Sequence, residues 1–92
     1  MPLLDDQEIR NRLDGIRGWT RDGDAIRKTY TLDSFAEAIA FVNRIAELAE
    51  RANHHPDIDI RYDRVGCTLS THSEGGLTAR DFDLARQLDA AH

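Results

Sequence analysis

The stretch Glu50-Arg51-Ala52-Asn53-His54-His55-Pro56-Asp57-Ile58-Asp59-Ile60-Arg61-Tyr62 changes its hydrophobic period at the middle. Before it, Phe35, Ala38, Ile39, Val42, Ile45, Ala46, Ala49 and Ala52 recur at the spacing of one helix face. After Pro56, Ile58, Ile60 and Tyr62 alternate with Asp57, Asp59 and Arg61, the pattern of a half-buried strand. A residue that precedes proline is pushed out of the helical region, so the helix ends near Asn53 or His54 and His55 is already extended. At the other end, Ser34 with Glu37 makes a capping box, which predicts a helix from about Phe35 to Asn53. Two imidazoles therefore sit where a long helix hands over to a strand.

Downstream, Asp63-Arg64 reads as a two-residue turn. Val65, Cys67, Leu69 and Thr71 then share one face of a returning strand, with Gly66, Thr68, Ser70 and His72 on the other. Gly75-Gly76 breaks the chain, and Thr78 caps a last helix with Asp81 in its first turn and Phe82, Ala85 and Leu88 turned inward. Upstream, Asp5 with Glu8 forms another capping box, and Leu4 with Ile9 a hydrophobic staple. That helix carries Ile9, Leu13 and Ile16 and ends around Gly15 to Gly18. Trp19-Thr20-Arg21 leads into Asp22-Gly23, a tight-hairpin signal. The return strand, Ala25 to Leu32, puts Ile26, Tyr30 and Leu32 on one parity; Lys28 interrupts that face and predicts a half-exposed or edge strand. The order α-β-β-α-β-β-α contains two hairpins. It predicts an α+β fold, a four-stranded antiparallel sheet with three helices packed on one face.

A chain of 92 residues holds one core, so a single domain over residues 1–92 is expected. Its 40% hydrophobic and 32% charged content is that of a globular protein. The formal charge of −5 argues against nucleic acid, whose binding rests on clustered Lys and Arg. No apolar run approaches the roughly 20 residues that span a bilayer. Met1-Pro2-Leu3-Leu4-Asp5-Asp6 turns acidic at once, unlike a secretory signal. A lone cysteine fits a reducing compartment. A cytoplasmic location and no membrane partner follow as expectations.

His54 and His55 carry two readings. A protonated histidine at a helix C-terminus is favoured by the helix dipole by about 0.3–1 kcal/mol, which requires no active site. An imidazole also both gives and takes protons near neutral pH, which suits catalysis. A matched hairpin after Pro56 brings His72 back toward His54. Adjacent histidines seldom ligate one ion, and no pair stands at i and i+4 on a helix, so no metal is expected. Glu50 lies one turn before His54, either orienting it or forming a surface salt bridge. Asp81 reads as a capping acid, a role compatible with an anion site at the same helix end. Cys67 reads as core filler, and Trp19 as core or as one wall of a ligand pocket.

Glu50, His54-His55-Pro56, Tyr62, His72 and Asp81 together resemble the signature of the pterin-4a-carbinolamine dehydratases. Thr68-Leu69-Ser70-Thr71-His72 and Gly76-Leu77-Thr78-Ala79-Arg80-Asp81 look like the same family, and Gly18-Trp19 with Ala25-Ile26 match it less specifically. The resemblance implies dehydration of 4a-hydroxytetrahydropterin, the product of aromatic amino acid hydroxylases, to quinonoid dihydropterin. It implies no metal, prosthetic group or other cofactor, and assembly as homodimers or homotetramers. By the same likeness His54, His55 and His72 are the catalytic histidines, and Glu50, Asp81, Trp19 and Arg80 lie at the pterin pocket. Two positions depart: Asn53 stands where several members carry Asp, and Ile58 where some carry an aromatic residue. Animal members also bind a homeodomain transcription factor as a dimerisation cofactor, so the resemblance also admits a non-catalytic coactivator or assembly scaffold.

Overall fold

The computed structural model describes residues 2–92. Helix α1 spans Asp6–Leu13, capped by the Asp5–Glu8 box. It ends before Gly15, earlier than expected, because Asp14 and Gly15 tighten the chain into turns that carry Ile16 into the core. Strands β1 (Thr20–Asp22) and β2 (Ala25–Thr31) form the first hairpin. Asp22 pairs with Ala25, so the two loop residues are Gly23 and Asp24, and Gly23 supplies the positive φ of 59°. Helix α2 (Phe35–Ala52) is followed by β3 (Asp57–Arg61), β4 (Arg64–Leu69), a short 3-10 turn (His72–Glu74) and helix α3 (Ala79–Ala91). The α+β fold and its element order are those the sequence predicts.

The strands lie in the order β1-β2-β4-β3, every neighbour antiparallel. Ile26, Tyr30, Val65, Cys67 and Leu69 cover the inner sheet face and join Ile9, Phe41, Ile45, Phe82, Ala85 and Leu88 from the helices in one core. Fully burying a Phe or Leu side chain contributes about 1.5–3 kcal/mol, so α3, which buries Phe82, Leu84 and Leu88, is held against α2 and the shared core.

Four local expectations give way. Lys28 marks a half-exposed strand and not an edge: Ile26 and Tyr30 are buried while Arg27, Thr29 and Thr31 are exposed, and β2 lies between β1 and β4. Its ammonium stays on the inner face because it donates to Asp89 at 2.8 Å and to the Arg17 carbonyl at 2.7 Å. Strand β3 is exposed throughout rather than half-buried, since it is the sheet edge and the helices leave Ile58 and Ile60 each 38% accessible. The second turn is Tyr62-Asp63, one residue earlier than expected; Tyr62 takes the positive φ, and Arg64 already pairs with Arg61. In α2 the stripe Ala38, Phe41, Ile45, Ala49 faces the core. Phe35 is half-exposed and Ile39 and Val42 are only part-buried, because the helix carries two apolar faces and the first helical residue stands on the outer one.

Candidate active site

Helix α2 ends on Asn53, which adopts the left-handed conformation at φ 49° and ψ 45°. The His54 N–H donates back to the Ala49 carbonyl at 3.0 Å, closing the helix in a Schellman-type turn. Asparagine and aspartate are among the few residues besides glycine that occupy this conformation readily, so position 53 has a backbone role that either residue meets. The turn also decides where the histidines go. His54 leaves the helix face that holds Glu50 and turns inward, reaching 7% accessibility. Its Nε2 lies 2.6 Å from Oδ1 of Asp81. His55 stays exposed, and its Nε2 hydrogen-bonds Oε2 of Glu50. The i, i+4 pairing of Glu50 with His54 is therefore replaced by Glu50 with His55.

Asp81 is fully buried at the N-terminal turn of α3. Its Oδ2 accepts from the Thr78 N–H at 2.9 Å and from the Thr71 hydroxyl at 2.8 Å. The Thr71 and Thr78 hydroxyls lie 2.8 Å apart. The capping-box reading of Asp81 holds, and the same carboxylate reaches His54 with its other oxygen. Thr71 and Thr78 were not singled out as site residues from sequence. Thr71 shares the buried parity of Val65, Cys67 and Leu69, and a hydroxyl on a buried face needs a partner, which is the signal that points to it.

His72 does not sit on a strand. β4 ends at Leu69, Thr71 makes one bridge to Gly76, and His72 opens the 3-10 turn with its side chain exposed. The return nevertheless works. A cleft of about 230 Å³ is lined by His54, His55 and His72 together with Ser70, Thr71 and Arg80. A neighbouring hollow of about 320 Å³, walled by Asp22, Asp24 and Asp57, meets it at Ser70 and His72. Arg80 lines the cleft and also donates to the carbonyl of Asn53 at 2.5 Å, placing a cation on the last carbonyls of α2, where the helix dipole favours it.

Trp19 lies elsewhere. It is buried, and its Nε1 donates to both carboxylate oxygens of Asp89 at 3.2 Å. Asp89 stands eight residues beyond Asp81 on α3, about 12 Å along the helix at 1.5 Å per residue. The same carboxylate accepts from Lys28 and, at 2.5 Å, from the Tyr30 hydroxyl. Trp19 thus belongs to a second polar cluster at the far end of α3, while His54, His55, His72, Asp81 and Arg80 gather at the near end. Desolvation and the Asp89 carboxylate push the Tyr30 phenol upward from its ordinary range, and burial pushes the Cys67 thiol up to about 12. Cys67 is buried and unpaired, as core filler.

The cleft brings together one buried imidazole, two exposed ones and a guanidinium, with a buried carboxylate bonded to the first. Such a set can donate a proton to one polar atom of a bound molecule, take one from another, and hydrogen-bond a polar ligand. Among the described residues, no helix is long and apolar enough to cross a membrane.

Residues 2–91 match the family model for pterin 4 alpha carbinolamine dehydratase. A protein of Roseiflexus castenholzii, provisionally named a pterin-4-alpha-carbinolamine dehydratase, is 61% identical over 95% of this chain and 94% of its own. A crystal structure described as a transcriptional coactivator/pterin dehydratase from Brucella melitensis superposes with a TM-score of 0.92 at 34% identity, covering 96% of each chain. A pterin dehydratase-like protein described as a RuBisCO assembly factor in the alpha-carboxysome is similar at a TM-score of 0.71 and 26% identity, over 82% of this chain and 89% of that one. With a family model matched over residues 2–91, near-full-length sequence similarity and a shared fold, the chain belongs to the pterin 4 alpha carbinolamine dehydratase family.

Proposed function

We propose that this protein dehydrates 4a-hydroxytetrahydropterin to quinonoid dihydropterin. The C4a–O bond breaks, the hydroxyl leaves as water after gaining a proton, and a ring nitrogen loses a proton as the C4a–N double bond forms. One molecule of water is the only thing lost. A group that gives the first proton and another that takes the second close the balance, and general acid–base assistance of this kind typically contributes a factor of about 10²–10⁴. His54 and His72 are the acid/base pair. His55, held by Glu50, binds and orients the pterin, and Arg80 contributes to the pocket wall. Two imidazoles account for both transfers, so the reaction as proposed needs no cofactor. Its substrate would come from an aromatic amino acid hydroxylase in the cytoplasm, and a homodimer or homotetramer is the expected assembly.

The observation that carries this reading is the single cleft lined by His54, His55 and His72, with Asp81 bonded behind it to His54. A phenylalanine hydroxylase supplied with tetrahydropterin generates the carbinolamine, and quinonoid dihydropterin formation is followed with and without this protein. Acceleration at catalytic protein concentration is expected. No acceleration above buffer, with protein comparable to substrate, would overturn the reading in favour of a protein-binding role as dimerisation cofactor or assembly scaffold. One feature gives that second reading a surface: Ile58, Ile60 and Tyr62 are exposed at the end of the sheet.

A further inference from the structure

We propose that Thr78 and Thr71 are positioning residues which, through Asp81, hold neutral His54 with its proton on Nε2 and so present an unprotonated Nδ1 to the cleft. The proposal deepens the reading above, in that His54 moves a proton, and it assigns the atom that does so.

The directions of the hydrogen bonds carry the argument. Thr78 Oγ1 already accepts from the Arg80 N–H at 3.3 Å, so its own proton is free to donate. Thr71 Oγ1 stands 2.8 Å from both Thr78 Oγ1 and Asp81 Oδ2. A carboxylate only accepts, and each hydroxyl has one proton to give. Thr71 therefore donates to Asp81, and Thr78 donates to Thr71. With the Thr78 N–H also on Oδ2, two donated bonds commit that oxygen. Oδ1 is left for His54, whose Nε2 must bring the proton at 2.6 Å. Among the described residues, no buried side-chain nitrogen or oxygen lacks a partner, and Nδ1 of His54 makes no hydrogen bond; Nδ1 is thus the ring atom open to solvent. As a base, Nδ1 takes the pterin ring-nitrogen proton, and the imidazolium formed keeps its charge against Asp81. As an acid it returns a proton by the same atom.

The chain of hydroxyls also dictates what an amide would do at position 81. In Asp81→Asn the carbonyl oxygen must occupy the Oδ2 place, where two donors arrive, which turns the NH2 group toward Nε2. His54 would then carry its proton on Nδ1, pointing a donor at the cleft where a lone pair is needed.

Ring-nitrogen NMR of the full-length protein, with His54 neutral, reads this directly. The wild type should show His54 protonated on Nε2, and Asp81→Asn should invert it to Nδ1. Thr71→Val keeps the shape and removes the hydroxyl; it should lower kcat about tenfold, the low end for outer hydrogen-bond partners, with KM within about twofold. Thr71→Ser should recover kcat to within about threefold of wild type, which a purely steric role for Thr71 would not predict. A wild-type His54 protonated on Nδ1, or an Asp81→Asn protein that retains the Nε2 proton, overturns the proposal, as does a Thr71→Val enzyme equal to wild type. If the NMR results hold while no carbinolamine is dehydrated, the reaction assignment falls and the positioning stands.

Discussion

Asp81 Oδ1 lies 2.6 Å from His54 Nε2, 27 positions away in sequence, while Glu50, one helical turn before His54, hydrogen-bonds His55. The left-handed Asn53 between Glu50 and the histidines produces the exchange of partners. It gives adjacent imidazoles opposite circumstances: His54 is buried and fixed, and His55 is exposed on a solvated tether. A fixed group suits proton transfer, which demands geometry. An exposed one suits capture of the substrate.

His54→Ala and His72→Ala should each lower the dehydration rate at least tenfold, within the range general acid–base groups contribute. Because His54 is buried against Asp81, His54→Gln serves as a folding control: its amide can still donate to Oδ1 but has no basic nitrogen. Initial rates from the coupled hydroxylase assay decide the matter, and wild-type rates in both alanine variants would remove the acid/base assignment.

Glu50→Gln should raise KM by about threefold to tenfold and leave kcat nearly unchanged, since one charge-assisted bond to His55 is weakened and His54 is untouched. Its stability should move by less than about 0.5 kcal/mol, because the side chains of His55 and Glu50 are 59% and 74% exposed and solvent screens the pair. A kcat loss equal to that of His54→Ala would instead place Glu50 in the chemical step.

Asn53→Ala should cost about 1–2 kcal/mol in urea denaturation, the penalty of forcing a Cβ-bearing residue without a local side-chain bond into the left-handed region. Asn53→Gly should equal or exceed the wild type in stability. The pair of variants isolates backbone conformation, since the Arg80 bond goes to the main-chain oxygen of Asn53 in both. Loss of stability in the glycine variant would point to the Asn53 side chain instead.

Asp89→Ala removes the common acceptor of Trp19, Lys28 and Tyr30. Leaving buried donors without a partner costs about 1–3 kcal/mol each before relaxation, so a loss of about 2–4 kcal/mol is expected. The Trp19 emission should shift to the red as its indole N–H turns to water. KM for the pterin should stay unchanged in the folded protein, because this cluster stands at the opposite end of α3 from the histidine cleft. A raised KM would restore Trp19 to the pterin pocket.

The elements were legible in the sequence because they are local: caps at Asp5, Ser34 and Thr78, the period change at Pro56, and the Gly23 turn each act within a few residues. The return of His72 toward His54 was legible through hairpin spacing, while the grouping of His54, His55 and His72 into one site came from the family resemblance. What sequence could not give was partner choice. Glu50 was the near neighbour of His54, yet a single left-handed residue sent that ring to Asp81. Lys28 reads as an interruption of the inner face because its partner, Asp89, lies 61 positions away. Exposure of β3 was hidden for a similar reason: alternation reports a two-faced strand, whereas its depth depends on how far the helices reach across the sheet.

Alkaline pH should destabilise the fold through its buried acids. Cys67 is raised from its ordinary value of 9.0 to about 12 by burial, and Tyr30 is raised from 10.0 in the same direction by desolvation and by Asp89. Both groups keep their protons in the folded state at a pH where the unfolded chain has released them. The folded state then binds more protons, so stability is intact below about pH 9 and falls as pH climbs toward 12, by up to about 1.4 kcal/mol per pH unit for each group. Urea midpoints measured at about pH 7, 9 and 10.5 should therefore decline only over the upper interval. Cys67→Val fills the same space without a titrating proton and should flatten part of that slope, leaving the Tyr30 share. An equal slope in the variant would show that the thiol is not held protonated by its burial.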